Sequence, residues 1–313
     1  MSKNLIAIGR SRYLYEGVQY LVKRGYTFKA IITAEAYEEY DIKSEDFQNL
    51  AIKIGASFFV PNTLDNNQIA ELIRLNNIRV AISANWKYTL PKSFLDLFEG
   101  GILNFHLGNL PDYKGNATVN WSIIKGEKFI NANVHKMDPV LDSGDIISRK
   151  SIPITSETYI QDIIHEAEQL APVLYENAVE KMLSDPKAFE VKGTSSGLRC
   201  YPRLPEDSQI DWNQTPEEIS RLIRASACPY QGAYTFLNGE KIIVWKAKTV
   251  DTNVNHCAVA GQVVEVKNHQ GNILVACKNG VLEVQQVEHN KEKISPASLI
   301  KSIRLRFKYL ADV

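Results

Sequence analysis

The stretch Gly101-Ile102-Leu103-Asn104-Phe105-His106, running on into Leu107-Gly108-Asn109-Leu110-Pro111, reads as a short strand that stops at a Gly/Pro-punctuated loop. Successive strand side chains point to opposite faces, so Asn104 and His106 project together while Leu103 and Phe105 face the other layer. Both polar groups stand at the strand's carboxyl end. That is where open parallel sheets bind ligands, and the loop beyond is the expected rim of a site. The flanking sequence supplies the rest of such a sheet. Runs at 4–9, 28–33, 57–60 and 78–83 alternate with helical stretches, and Ile69, Leu72, Ile73 and Leu75 fit one helix face. Up to about residue 150 the chain therefore reads as βαβ units with a parallel sheet. A longer helix is predicted from Ser156, with Glu157 in its first turn and Ile160, Ile163, Ile164, Ala167, Leu170 and Leu174 on one face. Pro172 should kink or split it.

The pattern changes after Ser184-Asp185-Pro186. One short helix at 216–225 is followed by strands with hairpin signals: Asn238-Gly239 between runs at 233–237 and 241–245, and Asn279-Gly280 between runs at 273–277 and 281–287. A small, mostly antiparallel barrel is predicted, because closing a sheet removes its exposed edges.

Composition narrows the function classes. The 313 residues carry 36 Lys+Arg against 36 Asp+Glu and are 44% hydrophobic, as in a soluble globular protein of about two domains. A zero net charge gives no support to nucleic acid or an anionic membrane as the main partner. No apolar run approaches the roughly 18 residues needed to span a bilayer, and MSKNLIAIGRSR lacks the features of a signal peptide, so a cytoplasmic protein is expected. The four cysteines, Cys200, Cys228, Cys257 and Cys277, form no Cys-x-x-Cys pair and are expected to be buried free thiols. No metal is expected either: His165-Glu166 opens like H-E-x-x-H, but Gln169 stands where the second His must be. Gly9-Arg10-Ser11 lacks the later glycines of a dinucleotide fingerprint, yet Arg10, Ser11 and the backbone there could hold a substrate phosphate.

Leu141-Asp142-Ser143-Gly144-Asp145 is a turn between runs at 132–137 and 146–149, able to aim Asp142 back at Asn104 and His106. An amide, an imidazole and a carboxylate suit acyl transfer to an amine. The Asn N–H can stabilise a developing oxyanion and the imidazole can accept the proton an attacking amine must lose. The carboxylate can support the imidazolium or relay that proton.

Asn104-Phe105-His106, then Leu110-Pro111-x-Tyr113-x-Gly115, then Leu141-Asp142-Ser143-Gly144-Asp145, resemble the Asn-x-His, Leu-Pro-x-Tyr-x-Gly and Leu-Asp-x-Gly-Asp signatures of formyltransferases that use 10-formyltetrahydrofolate. The resemblance implies that Asn104, His106 and Asp142 are catalytic. It implies that the loop Trp86, Lys87, Tyr88, Thr89 and Leu90 holds the folate's pterin ring through its backbone, with further folate contacts at Asn116, Asp138, Pro139, Val140, Leu141 and Asp142. It continues through Asp211-Trp212, the helix carrying Arg221 and Arg224, and Ile243-Val244-Trp245-Lys246-Ala247, which are similar to the C-terminal barrel domain of methionyl-tRNA and amino-sugar formyltransferases. Val119-Asn120-Trp121 and Arg203-Leu204-Pro205-Glu206-Asp207-Ser208 look closer to the enzyme that modifies a UDP-linked aminoarabinose, so Trp121 and Arg203 join Arg10 and Ser11 as expected substrate contacts. The implied architecture is a Rossmann-like parallel-sheet domain over residues 1–188, a linker at 189–204 and an OB-like barrel over 205–313, with a homodimer allowed.

Two departures bear on the acceptor. The family's Ser-Leu-Leu-Pro after the catalytic His is here Gly108-Asn109-Leu110-Pro111, which alters the acceptor-side wall. Where the tRNA enzyme has a basic loop, residues 34–46 hold Glu35, Glu38, Glu39, Asp41, Glu45 and Asp46 against the single Lys43, a charge balance that would repel RNA phosphates. The expected reaction is formyl transfer to the amine of a nucleotide-linked amino sugar. Methionyl-tRNA formylation is the alternative, and a nucleic-acid-binding protein with a vestigial folate site is a third reading.

Overall fold

The computed structural model describes residues 3–36, 40–61, 67–251, 256–267 and 269–309, in two compact units. The first comprises Met1–Thr118, Phe129–Pro153 and Ile163–Tyr201; the second comprises Val119–Lys128, Ile154–Asp162 and Pro202–Val313. In chain order the elements begin β1 (Asn4–Gly9), α1 (Arg12–Lys23), β2 (Thr27–Ile32), α2 (Ser44–Ile54), β3 (Ser57–Phe59), α3 (Asn67–Leu75) and β4 (Val80–Ala84). They continue with α4 (Lys92–Leu95), β5 (Gly101–Leu107), β6 (Lys114–Gly115), α5 (Thr118–Lys125), β7 (Phe129–Lys136), β8 (Ile146–Pro153), α6 (Ile160–Ser184) and β9 (Arg199–Cys200).

The first unit is built on a seven-stranded sheet of order β3-β2-β1-β4-β5-β7-β8. Strands β3 to β5 along this order are mutually parallel, as the alternating pattern predicts. The parallel run ends there, since β7 runs antiparallel to β5 and β8 antiparallel to β7. The short Asp142 turn accounts for the second of these reversals, because a connection that brief can only join antiparallel neighbours, whereas a parallel pair needs a crossover of a dozen residues or more. In central β1 Leu5, Ile6, Ala7 and Ile8 are apolar and buried on both faces. It ends at Gly9, φ +137, where a Cβ would lie 2.1 Å from Ala84 O, so only glycine lets β1 and β4 close together at their carboxyl ends.

Below the sheet, α1 buries Leu14, Gly17, Val18 and Leu21. Gly17 admits the ring of Tyr175 from α6, whose hydroxyl donates to Ser83 O at 2.6 Å and whose ring lies 6.0 Å from Phe105. Phe105 thus packs into the helical layer, as its strand position predicts, and leaves Asn104 and His106 to the other face.

Helix α6 differs from its prediction at two points. It starts at Ile160, not Ser156, because Thr155 and Thr158 bond one another and Glu157 N donates to Thr155 Oγ1, which holds Ser156 and Glu157 in a turn. Asp162 is the first-turn acid instead and accepts from Tyr159 N at 2.8 Å. The helix also runs through Pro172 without splitting. The lost bond costs about 3 kcal/mol, and the buried face of Ile163, Ala167, Ala171, Leu174, Tyr175 and Ala178 outweighs it.

The second unit continues with a 3₁₀ turn at Pro205–Ser208, α7 (Pro216–Ser226), β10 (Ala233–Leu237), β11 (Glu240–Thr249), β12 (Val263–Lys267), β13 (Asn272–Cys277), β14 (Gly280–His289), β15 (Glu292–Ile294) and α8 (Pro296–Leu299). Both Asn-Gly hairpins form, joining β10 to β11 and β13 to β14. The antiparallel order is β10-β11-β14-β13-β12, with β15 on β14. Its two edges are bridged by one C-terminal segment. Phe307 N donates to Gly261 O and Lys308 N to Phe236 O, so the sheet curls into a closed structure around Trp212, Ile219, Ile223 and Phe307. The Trp212 and Phe307 rings stack at 5.3 Å and 11°.

The cysteines depart from expectation. All four are free, but Cys228 and Cys257 are exposed and Cys277 is half-buried, leaving Cys200 as the buried one. Cys228 and Cys257 lie in connecting segments between elements, and such segments run over the surface.

Removing the closing ring tests the curled sheet. Phe307 is 1% exposed, and Phe307→Ala is expected to destabilise the second unit by about 3–5 kcal/mol in chemical denaturation of the full chain. An unchanged midpoint would remove the C-terminal segment from the core.

Candidate active site

Asn104 and His106 project from the carboxyl end of β5, and the register sets Asn104 opposite His135 and His106 opposite Asn133 on β7. Asn104 Nδ2 lies 3.1 Å from His135 Nε2. The turn between β7 and β8 brings Asp142 between the two imidazoles, its Oδ2 3.6 Å from His106 Nδ1 and its Oδ1 3.5 Å from His135 Nε2. The structure therefore brings the predicted trio together, with His135 as a fourth member.

The turn is held in this shape by local chemistry. Asp142 has φ 49, in the left-handed region that Asp tolerates better than most residues, and Gly115 N donates to its Oδ2 at 2.8 Å. Two residues on, a Cβ at Gly144 would lie 1.7 Å from Lys136 O, so the turn can fold back on β7 only with glycine there. Asp138 Oδ1 accepts from Val140 N and Ser143 Oγ, which ties off the outer half of the turn.

The side chains of His106, Asp142 and His135 are only 10%, 9% and 2% exposed, so charge among them is weakly screened. Burial alone would raise the Asp142 pKa. His106 and His135, together with the Gly115 N–H, overcome that and hold the carboxyl well below its ordinary range. Asp142 is thus a carboxylate throughout the neutral range. His106 Nε2 lies 3.1 Å from Tyr113 O, a group that only accepts, so that nitrogen carries a proton. In this orientation the capacity to take another proton rests on Nδ1, facing the Asp142 carboxylate.

Around this centre the other predicted residues divide. The loop after β4 begins with Asn85 at φ 52; Lys87, Tyr88 and Thr89 are exposed, Leu90 is buried, and Trp86 meets Tyr88 edge-on at 5.7 Å. The Trp86 indole N–H is buried without a partner. Asn116 is exposed just beyond β6, while Pro139, Val140 and Leu141 line the exposed outer side of the Asp142 turn. Arg10 is 3% exposed and committed to backbone, its Nε donating to Asn85 O at 3.0 Å and its Nη1 to Glu35 O at 2.6 Å. Beside it, Ser11 Oγ is buried without a partner. Trp121 and Arg203 belong to the second unit, where the guanidinium lies 5.9 Å over the indole ring and donates to Asp207 O.

His135 and Asn133 were not singled out in the sequence. The signal was present: Asn131, Asn133 and His135 alternate along one face of an otherwise apolar strand, and all three are buried. Asn133 Nδ2 donates to His106 O, Gly108 O and Asn131 O, which fixes the end of β5 where His106 emerges. Among the described residues no group of three His, Cys, Asp or Glu is placed to hold a metal, and no helix is long and apolar enough to cross a membrane.

A mixed sheet with a buried carboxylate, two imidazoles and an amide gathered at one mouth is equipped for acyl transfer to an amine. A family model described as formyl transferase matches residues 22–179, and one described as formyl transferase, C-terminal domain, matches residues 204–304. The chain belongs to the formyltransferase family. The methionyl-tRNA formyltransferase of Thermodesulfovibrio yellowstonii is 25% identical over 301 residues, covering 95% of this chain and 94% of that protein. The bifunctional polymyxin resistance protein ArnA of Wigglesworthia glossinidia brevipalpis is 28% identical over 308 residues, covering 94% of this chain and 45% of that one. Among solved structures, an N-formyltransferase from Helicobacter canadensis in complex with folinic acid and dTDP-3-aminofucose has the same fold, with TM-score 0.67 at 17% identity, covering 91% of this chain and 99% of that one.

The charge on Asp142 has a pH signature. A carboxyl with a depressed folded pKa contributes its full stabilisation above the ordinary value of 3.8 and loses it as pH falls toward the folded value. Asp142→Asn is therefore expected to lower Tm by a constant amount from about pH 7 to pH 5, with the gap to wild type narrowing below about pH 4. A gap independent of pH down to the acid limit would show that the charge does not stabilise the fold.

Proposed function

We propose that this protein is an N-formyltransferase that moves the formyl group of 10-formyltetrahydrofolate to the amine of a nucleotide-linked amino sugar. The observation that carries the chemistry is the clustering of Asn104, His106 and Asp142 at one sheet mouth around an ionised carboxylate. Asn104 supplies an N–H to the negative charge that develops on the formyl oxygen. His106 takes the proton that the attacking amine must lose, and Asp142 orients that ring and offsets the positive charge it acquires.

The residues present fit the folate. The unpartnered Trp86 indole N–H and the exposed backbone at Lys87, Tyr88 and Thr89 follow β4, the strand that neighbours β5, and offer donors and acceptors to a flat heterocycle. Bound there, the folate supplies the activated formyl carbon. Asn116 and the turn 138–142 form the remaining rim on this reading. In the first unit Ser11 Oγ is the open donor for the sugar nucleotide on this reading, and Arg10, its guanidinium bonded to Asn85 O and Glu35 O, fixes the backbone around it. The work is placed in the cytoplasm, where folate cofactors and activated sugars are both at hand.

Methionyl-tRNA as acceptor is the second reading, favoured by full-length relatives that carry that name. Charge argues against it here. Glu38 and Glu39 of the acidic run lie outside the described residues, but Glu35, Asp41, Glu45 and Asp46 remain against Lys43. Of these, Asp41 is paired with Arg12, and Asp46 accepts from Lys43 N at the start of α2. The segment offers little to an acceptor-stem phosphate. Duplex RNA binding would weaken with salt by a log–log slope of about −0.9 per phosphate neutralised, whereas a sugar nucleotide should bind with weak salt dependence.

The deciding experiment is a folate-coupled screen of dTDP- and UDP-linked amino sugars with unformylated methionyl-tRNA alongside. Transfer to at least one sugar is expected; efficient formylation of the tRNA at physiological salt with every sugar untouched would overturn the reading. With the responding acceptor, His106→Ala should lower kcat about 10²–10⁴-fold with little change in folate affinity, and near-normal kcat would remove His106 from the proton transfer. For the folate loop, Trp86→Ala is expected to change folate Kd modestly while proline at Tyr88 or Thr89 impairs it strongly, since proline removes an N–H and restricts the chain. Equal effects would argue against backbone recognition.

A further inference from the structure

A short stretch of backbone touches both members of the catalytic pair. Tyr113 O lies 3.1 Å from His106 Nε2, and two residues on Gly115 N donates to Asp142 Oδ2 at 2.8 Å. We propose that Lys114, the residue between them, is a positioning residue for His106 and Asp142, and that its side chain acts by clasping this bracket to the segment 191–200. The inference rests on the reading of His106 and Asp142 as the proton-transfer pair.

The bracket has a shape that needs support. Tyr113 has φ 53 and Gly115 φ 95, so the chain passes through the left-handed region on both sides of Lys114. A bulky residue such as tyrosine persists there only where its surroundings over-determine it. Lys114 supplies that constraint. It is 5% exposed, and its Nζ donates to Thr194 O and to Ser196 O. A buried amine needs acceptors, and two main-chain carbonyls of one segment provide them. The Lys114 N–H donates to Leu198 O of the same segment at 3.0 Å, and β6 pairs with β9 at its end.

Segment 191–200 also grips the other catalytic loop. Gly193 N donates to Asp145 Oδ1 at 2.8 Å, and Gly193 passes so close to the Asp142 turn that a Cβ there would lie 2.1 Å from Ser143 O. The segment therefore runs from the turn that carries Asp142 to the bracket that meets its carboxylate, and Lys114 Nζ joins it between those two anchored ends. Without Nζ the bracket is free to relax out of the left-handed region. The contacts it loses first are those to His106 and Asp142. A lysine that only filled space would leave both contacts, and the behaviour of the carboxylate, unchanged.

The deciding readout is the Asp142 carboxyl, which faces His106 on β5 and His135 on β7 besides the Gly115 N–H. In carbon-13 spectra of the full chain, assigned with Asp142→Asn, Lys114→Met is expected to move the onset of Asp142 protonation to higher pH than in wild type, because the carboxylate loses a donor that favours its charged form. Lys114→Arg keeps donors long enough to reach the two carbonyls and should restore the wild-type onset. An unchanged onset in Lys114→Met would overturn the proposal. If that variant does not fold, Asp112→Ala carries the test. Asp112 Oδ1 accepts from Leu198 N, so its loss frees the outer side of the segment, and the onset should move in the same direction by less. No movement there would overturn the proposal equally. Kinetically, with the screen's responding acceptor, Lys114→Met should lower kcat about 10²-fold with a smaller change in folinic acid Kd. If His106→Ala and Asp142→Ala leave turnover intact, the underlying reading fails. If both collapse turnover while Lys114→Met keeps wild-type kcat and the wild-type Asp142 onset, only the clasp fails.

Discussion

A single buried carboxylate organises the catalytic mouth. Asp142 must be ionised to serve two imidazoles at 3.6 and 3.5 Å, yet it sits where burial favours its neutral form. Surrounding structure meets that conflict: the Gly115 N–H bonds the carboxylate directly, and Gly144 lets the turn fold close to β7. The antiparallel pairing of β7 with β8 follows from the same demand. A carboxylate delivered by a short turn arrives at the mouth only if the strands on either side of that turn run in opposite directions. The parallel part of the sheet supplies the platform, and the antiparallel edge supplies the charge.

How much of this could be read from the chain depends on whether a feature is local. The strands from β1 to β5 were legible because their apolar runs and flanking helices are local patterns, and so were the hairpins at Asn238-Gly239 and Asn279-Gly280. Asn104 and His106 were legible because two polar residues at i and i+2 on an apolar strand share one face. His135 and Asn133 were not, since their meaning comes from a register between β5 and β7 that intervening α5 hides. The false start of α6 at Ser156 has a similar origin. Ser156 followed by Glu157 imitates a helix entry, but the bonds between Thr155 and Thr158 stabilise a turn first. The C-terminal segment alternates Ile303, Leu305 and Phe307 with Arg304, Arg306 and Lys308, and it joins the sheet where two edges, at Phe236 and Gly261, converge on it.

The acceptor is harder to read than the chemistry, for a physical reason. Proton removal, oxyanion stabilisation and imidazolium support ask for the same three groups whichever amine attacks. What separates a sugar nucleotide from a tRNA is the field and shape around that mouth. In the first unit the segment after β2 contributes mostly acids, and two of them are already spent on Arg12 and on the start of α2. An acidic segment of this kind resists an extended polyanion.

These electrostatic arguments also constrain the mechanism. His106 gives Nε2–H to Tyr113 O, so its other ring nitrogen lies on the Asp142 side, 3.6 Å from the carboxylate. Positive charge gained by His106 is then balanced within the buried cluster, without solvent having to reorganise.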